Sequence, residues 1–417
     1  MKIVHAADLH LDSPLRGLDQ YPEAPVDRIR GATRRAFANL VDLCIQEQVA
    51  LLLLAGDLFD GDWRDYATGL FFLSQLSRLR EAGVAVVMLR GNHDAASQIS
   101  RHLKLPSNVR ELSVQAPETV ELPELGVAVH GQGFFERSVT VDLAASYPPP
   151  VSGLFNIGML HTALSGRPGH EPYAPCSLDT LRSKGYDYWA LGHVHAREVL
   201  CEDPYIVFPG NLQGRHIRET GAKGATVLTV QEGRVLQLEH RPVDVVRFVQ
   251  CEVDAGRWTE LEALLDGVRG ELAELVQQAD GRLVCVRLTL GKRSELHTRL
   301  HRERERVEAE IQALAIDFGG DVWIEKVRLD TSPRIPLQEL YRQDDALGQV
   351  LAAVAAMRGD EAALAELLAL FGDLKGKLPL ELRAGAEGVR LDDPAFMEEM
   401  LAEVEPLLLA RLLGEDA

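Results

Sequence analysis

The 417-residue chain is poor in cysteine, short of positive charge, and without any long hydrophobic run. Its five cysteines (44, 176, 201, 251 and 285) are scattered, odd in number, and never spaced as CxxC. That leaves no disulfide framework to read and makes reduced thiols in the cytoplasm the default expectation. The longest apolar run, "VALLLLAG", is strand-sized, so no membrane span is expected. The start, "MKIVHAADLH", lacks the apolar centre and small-residue cleavage site of a signal peptide. Lys and Arg number 44 against 63 Asp and Glu, a formal charge of −19, which argues against non-specific coating of nucleic acid. No internal repeat or low-complexity tract is visible.

What is present is enough apolar residue, 46%, for a sizeable core, and a length that implies two or three domains. "KIVHAADLHLD" reads as a buried strand, Lys2 to Ala6, stopping abruptly in polar residues. A helical pattern follows from Val26 to Gln48, then the strand of "VALLLLAGDLFD", a helix closed by Gly83, and the strand of "VAVVMLRGNHD". Strand and helix in alternation imply parallel pairing. Further strands are expected near Val127–Gly131, Phe155–Leu160, Tyr188–Leu191, Tyr205–Phe208 and Ala225–Val230. After Pro242 the pattern becomes a β-α-β-α-β module, closed by the linker-like "DTSPRIP". The remainder is rich in Ala, Leu and Glu and reads as helices. From Thr331 onward eight Lys/Arg face seventeen Asp/Glu, so this fifth of the chain carries −9.

Five polar clusters share one placement, the C-terminal end of an apolar strand. They are "DLH" (Asp8, His10), "GDLFD" (Asp57, Asp60), "GNHD" (Asn92, His93, Asp94), "LHT" (His161) and "GHVH" (His193, His195). In α/β sheets the carboxyl ends of strands line the ligand crevice, where these clusters are expected to converge. In extended chain residues i and i+2 share a side, which would let Asp8 serve with His10 and His193 with His195. Gly56, Gly91 and Gly192 are expected to let backbone pass close to an ion. Imidazole, carboxylate and amide oxygen without thiolate suit Mn, Fe or Zn. The ligands are too many for one ion and enough for two, the usual clamp for in-line attack on phosphorus. Each cluster alone reads as well as a turn; five in this order do not.

The ordered set D-x-H, G-D-x-x-D, G-N-H-D, H, G-H-x-H resembles the calcineurin-like metallophosphoesterases. Within them the chain looks like the DNA repair nucleases of the SbcD type, and "DLHLDSPL" with "PGNLQGRHIRETGAKG" looks closest to their YhaO-like branch. The motifs cover roughly residues 1–240. The resemblance implies an α/β (α+β sandwich) fold, with a two-sheet nuclease core over 1–242 flanked by helices. It also implies a small βαβαβ capping (DNA-recognition) domain over 243–330 and a helical partner-binding region over 331–417.

By the same resemblance Asp8, His10, Asp57 and His195 would hold one divalent ion. Asp57, Asn92, His161 and His193 would hold the other, with Asp57 shared and Mn the expected metal. His93 would be the catalytic histidine, protonating the leaving oxygen. Asp94 would either orient His93 or a ligand, or cap the helix that follows. Relatives carry either histidine or aspartate where Asp60 stands, so Asp60 is open between a role near His93 and a solvated carboxylate. Arg215, His216 and Arg218 lie in a Gly-rich loop that either contacts substrate phosphate or braces "GHVH". Arg34 and Arg35 read as solvated helix charge or a DNA contact. Lys292 and Arg293 are expected in a loop within reach of a phosphate backbone, and Trp258 and Trp323 in the core. "RLHRERERVEAE" reads as an exposed helix.

The implied activity is Mn-dependent DNA cleavage, as an exonuclease subunit in repair. The implied partners are DNA, an SbcC-like coiled-coil ATPase bound through the C-terminal helices, and a second copy in a homodimer. The same motifs also serve phosphatases and small-molecule phosphodiesterases. A metal-bound scaffold without activity is the third reading, which the full ligand set and His93 disfavour.

Overall fold

In the computed structural model, described for residues 1–13, 26–29, 31–60, 66–96, 104–164 and 173–334 and for isolated positions beyond, the chain forms two compact units. One comprises Met1–Val249 with Gln278–Cys285, the other Gln250–Gln277 with the chain from Val286 onward.

The first unit is built on β2 (Leu51–Ala55), whose sequence LLLLA is buried at every position. A strand apolar on both faces belongs inside a covered parallel sheet. β2 pairs in parallel with β1 (Lys2–Ala6) on one side and β3 (Ala85–Leu89) on the other, with Leu51 opposite Ile3 and Ala85. Leu52 and Leu54 face the helices α2 (Ala32–Gln46) and α3 (Tyr66–Glu81), packing with Phe37, Leu40, Phe72 and Leu76. Leu51, Leu53 and Ala55 face the other way, into a layer shared with Val129, Ile157, Met159 and Tyr188 of a second sheet.

The first sheet is completed by β4 (Val109–Glu111), β11 (Gly224–Gln231) and β12 (Arg234–Pro242), in the order β12-β11-β1-β2-β3-β4. The second contains β5 (Glu118–Leu122), β6 (Val127–Gly131), β7 (Phe155–His161), β8 (Tyr188–Gly192), β9 (Glu198–Glu202) and β10 (Tyr205–Phe208). Its order is β5-β6-β7-β8-β10-β9, and β6, β7, β8 and β10 run parallel. Its outer face is covered by Phe134, Tyr147, Leu181 of α5 (Leu178–Ser183) and Tyr186, which pack with Trp189, Ile206 and Phe208. Between the sheets His5 of β1 meets the Tyr188 hydroxyl at 2.9 Å and the Leu191 carbonyl at 3.0 Å. Only Nε2–H can serve that carbonyl, so Nδ1 accepts from the tyrosine. Burial accordingly pushes the imidazole down to about 3.

The helix expected from Val26 to Gln48 is two, α1 (Val26–Ile29) and α2, parted at Gly31, whose φ of 72° is left-handed. The second unit holds most of a three-stranded sheet in the order β13 (Val246–Asp254), β14 (Leu283–Ser294), β15 (Val322–Pro333). Its helices are α6 (Leu261–Ala279), α7 (His297–Arg302) and α8 (Arg304–Ile316). The sign-mixed run is not one exposed helix: it spans the end of α7 and the start of α8 and buries Leu300, His301 and Val307. Arg304–Glu308 and Arg306–Glu310 pair at i,i+4, each 2.8 Å, on the exposed side of α8. Lys292 and Arg293 lie inside β14, not in a loop; both are exposed, and Lys292 breaks the strand's alternation with a left-handed φ of 72°. Trp258 and Trp323 are half-buried, and Trp258 lies so close to Gly267 of α6 that a side chain there would strike its ring. The tail segments "ALGQVLAAVAAM" and "EEMLAEVEPLLLARLL" fall outside the described residues. Among the described residues no helix is long and apolar enough to cross a membrane, and all five cysteines are free thiols.

Candidate metal centre and catalytic site

The chain does not leave β1, β2 and β8 in extended form. Asp8, His10, Asp12 and Asp57 take left-handed backbone with φ of 54°, 42°, 61° and 52°, and His193 has φ of 101°. Non-glycine residues rarely go there, and where several do so together the surrounding structure must hold them. Here the loops hold one another: Asp8 N–H donates to the Gly56 carbonyl and His10 N–H to that of Asp57, both at 3.0 Å. The expectation that Asp8/His10 and His193/His195 share a side through extended spacing is therefore wrong in its reason. The side chains do meet, but alternating left-handed turns aim them.

Three groups of candidate ligand atoms form, each within 4.8 Å: the expected ligands make two, Asp8 with His10 and His195 and Asp57 with His161 and His193, and His10 makes a third with Asp60 and His93. The His10 and His195 Nε2 atoms lie 3.2 Å apart, and His195 Nε2 is 3.7 Å from Asp8 Oδ1. Asp57 Oδ2 stands between the first two groups, 3.8 Å from His10 Nε2 and 3.4 Å from His161 Nε2. Asn92 brings Oδ1 to 3.0 Å from His161 Nε2. Thus all seven residues expected as ligands come together, with Asp57 placed to serve both of those groups.

The glycines act less directly than expected. A Cβ at Gly91 would overlap the Asp57 carboxylate, and one at Gly56 or Gly192 would press on the His161 ring. They make room for the ligand side chains rather than for an ion.

The donor chemistry fits divalent cations. His161 donates Nδ1–H to the Ala55 carbonyl at 2.9 Å, so its Nε2 lone pair faces Asp57 Oδ2 and Asn92 Oδ1. Three acceptors converging in a buried place repel unless a proton or a cation lies among them. Burial opposes protonation of His161, but Asp57 and Asp8 push it up to about 9. Burial also pushes the Asp57 carboxyl up, yet His161, bonded to it, and then His10 and His93 hold it well below the usual carboxylate range.

His93 sits at the open side, its ring about a third exposed. Its Nδ1 is 3.0 Å from Asp60 Oδ1, and its backbone N–H donates to Asp57 Oδ1 at 2.9 Å. Asp60 raises the His93 imidazole against the effect of burial. The nearby rings of His10 and His93 hold Asp60 far below its ordinary value, and Ser13 donates to its second oxygen at 2.8 Å. Asp60, left open by sequence, is thus the partner of His93.

Of the two places expected for Asp94, it is not the cap of the helix that follows; it braces the segments that carry two ligands. It lies inside the short helix α4 (Asn92–Ala96), not before it, and its carboxylate accepts backbone N–H from Leu58, Phe59 and Gly91 at 3.0 Å. It ties the Asp57 loop to the Asn92 loop and bonds to neither nitrogen of His93. A catalytic place for Asp94 is corrected to a supporting one. Burial, then the charge of Asp57, pushes it up to about 7 while those amides oppose.

The Gly-rich loop divides. Asn211 and Gln213 are buried and brace backbone, Gln213 accepting from Val245 N–H at 2.9 Å. Arg215 reaches the rim, donating to Ser13 Oγ at 3.4 Å with Asp60 at 3.9 Å. His216 lies 3.6 Å from Glu219, and Arg218 is exposed. Sequence reasoning passed over Glu219, whose Oε1 is 2.6 Å from His195 Nδ1. Arg34 and Arg35 are engaged on the protein, Arg34 with Asp12 and Thr68 and Arg35 with the Arg28 carbonyl.

Comparison with known proteins gives the family. The profile of calcineurin-like phosphoesterases matches residues 1–197, and that of the middle domain of metallophosphoesterase YhaO matches residues 248–332. The chain is 38% identical over 294 residues to the uncharacterised metallophosphoesterase YhaO of Bacillus subtilis, spanning 70% of this chain and 71% of that protein. It is 28% identical over 312 residues to the DNA double-strand break repair protein Mre11 of Methanopyrus kandleri, covering 67% of this chain and 65% of the relative. A crystal structure of a dimetal phosphatase from Danio rerio matches 56% of this chain and 93% of its own, with 13% identity and a TM-score of 0.35.

Proposed function

The chain belongs to the calcineurin-like metallophosphoesterases and is a metal-dependent hydrolase, and from that premise we propose that it cleaves phosphodiester bonds in DNA. The observation that carries the reaction class is the convergence of seven ligand residues beside the His93–Asp60 pair. What supports DNA is the likeness to repair proteins named Mre11 and the separate β-α-β-α-β unit, which a small phosphatase does not require.

In this reading Asp8, His10, His195 and Asp57 hold one cation, and Asp57, Asn92, His161 and His193 the other. When bound, such a pair of ions activates water and neutralises phosphate charge. The side chains supply the rest. His93 presents Nε2–H to the leaving oxygen while Asp60 accepts from Nδ1 and stabilises the imidazolium. Arg215, at the rim beside Asp60, faces a non-bridging phosphate oxygen. The expected metal is Mn. The protein is read as a cytoplasmic, SbcD-type exonuclease subunit that pairs as a homodimer and works with an SbcC-like coiled-coil ATPase bound by residues 331–417. The formal charge of −19 is a reason for that help in holding DNA.

The test gives the purified protein Mn, with and without such an ATPase, and offers linear duplex DNA, single-stranded DNA and bis-p-nitrophenyl phosphate. Cleavage of DNA supports the reading. Hydrolysis of the small diester with none of DNA under either condition would place the substrate among small phosphate esters.

A further inference from the structure

His195 is gripped on the side away from the cluster. Its Nδ1 lies 2.6 Å from Glu219 Oε1, with Arg215 Nη2 at 3.3 Å. Both contacts cannot be hydrogen bonds, because a guanidinium only donates and Nδ1 cannot accept from it while donating to the carboxylate. The short distance to a carboxylate decides it: Nδ1 carries the proton and Glu219 accepts. The Nε2 lone pair then points toward His10 and Asp8. Glu219 is buried, and its other oxygen accepts from Asn211 Nδ2 at 2.9 Å and from the Arg215 backbone at 2.7 Å. Lys223 Nζ completes the hold, donating to the His195 carbonyl at 3.0 Å.

We propose that Glu219 is a positioning residue that fixes His195 in the Nδ1–H tautomer, aims its Nε2 at the cation shared with Asp8 and His10, and ties the Arg215 segment to that same carboxylate. One acidic side chain thereby links a metal ligand to the arginine at the rim. An imidazole that donates its outer N–H to a carboxylate is a fixed and more basic ligand, and loss of such a partner costs about 10–100-fold in metal affinity. The proposal rests on the two-cation reading of the site and is independent of DNA as substrate.

The experiment titrates Mn into wild type, Glu219→Ala and Glu219→Gln by calorimetry, with metal counted after dialysis. Wild type binding two ions upholds the premise; fewer than two overturns the two-cation reading separately. Glu219→Ala is expected to weaken one of the two ions about 10–100-fold and leave the other unchanged. Glu219→Gln keeps an oxygen to accept the proton and is expected to lose less. Should the alanine variant fail to fold, the glutamine variant decides alone: weakening at one ion supports the role, and wild-type affinity for both refutes it. A second readout needs no metal. Nitrogen NMR of metal-free, 15N-histidine-labelled protein, assigned with His195→Gln, is expected to show His195 as the Nδ1–H tautomer. The Nε2–H form would overturn the proposal.

Discussion

Two pairs of buried histidines, one in each unit, differ in their neighbours. In the first unit His10 and His161 are 1% and 0% exposed and face Asp8, Asp57 and Asp60. In the second unit His297 and His301 are 1% and 6% exposed, stand one turn apart on α7, and have ring centroids 4.5 Å apart. That pair shares one hydroxyl, Thr331 Oγ1, at 3.0 and 3.2 Å. By spacing alone H-x-x-x-H on a helix face looks a better metal pair than histidines scattered over 185 residues. Yet the groups of three or more candidate ligands among the described residues all lie in the first unit. Carboxylates mark His161, which Asp57 and Asp8 push up to about 9 against burial, whereas burial pushes His10, His297 and His301 down to about 4. A place that favours a proton against burial, as at His161, also favours a cation, and around His297 and His301 no carboxylate among the described residues joins the pair to complete a ligand group.

The largest effect expected from breaking this contrast is Asp57→Ala. One carboxylate serves both groups, so metal content should fall by two ions and diester hydrolysis by about 10³-fold or more, several kcal/mol of lost charge stabilisation. Two ions retained in that variant would refute the shared ligand. With His93 read as proton donor and not as ligand, His93→Ala should keep both ions and lose about 10²–10⁴-fold in kcat as a missing general acid does. Full rate with metal intact would sink that role. Asp60→Asn weakens the partner of His93, and with it the carboxylate facing His10 and Arg215, and should cost about tenfold in rate, in the range of other supporting partners.

The smallest effect concerns the other pair. An unfolded histidine takes its proton near 6.5, whereas His297 and His301 resist to about 4. As pH falls through that interval the unfolded chain binds protons first, so stability present above pH 6.5 is lost on the way to pH 4. Melting curves should decline over this window in the wild type and less steeply in His297→Leu/His301→Leu, with metal content unaltered. A double variant with the same pH slope would mean the pair does not titrate as its burial implies.

The central strands were legible because burial on both faces writes a continuous apolar run, as in LLLLA of β2. The four strands missed, β4, β5, β9 and β12, are the four edges of the two sheets. An edge strand is covered on fewer sides, and ETVEL of β5 or EVLCE of β9 carries too much polar surface to stand out. In the site the ligands were legible from residue type and strand-end placement. Glu219 was not, because its tie to His195 bridges 24 residues of loop with no periodicity to mark it. The N-cap reading of Asp94 failed for a related reason: the amides it serves include Leu58 and Phe59, some 36 and 35 positions away.

By itself the sequence determined the buried strands, the alternation that pairs β1, β2 and β3 in parallel, and the inventory of imidazole, carboxylate and amide ligands at strand ends. These depend on local pattern and residue chemistry. Tertiary structure alone decided the left-handed turns that aim Asp8, His10 and Asp57, and the pairing of Asp60 with His93. It alone decided the withdrawal of Asp94 onto backbone amides and the grip of Glu219 on His195. Each is set by which loops meet once two sheets pack face to face, and no segment carries that information alone.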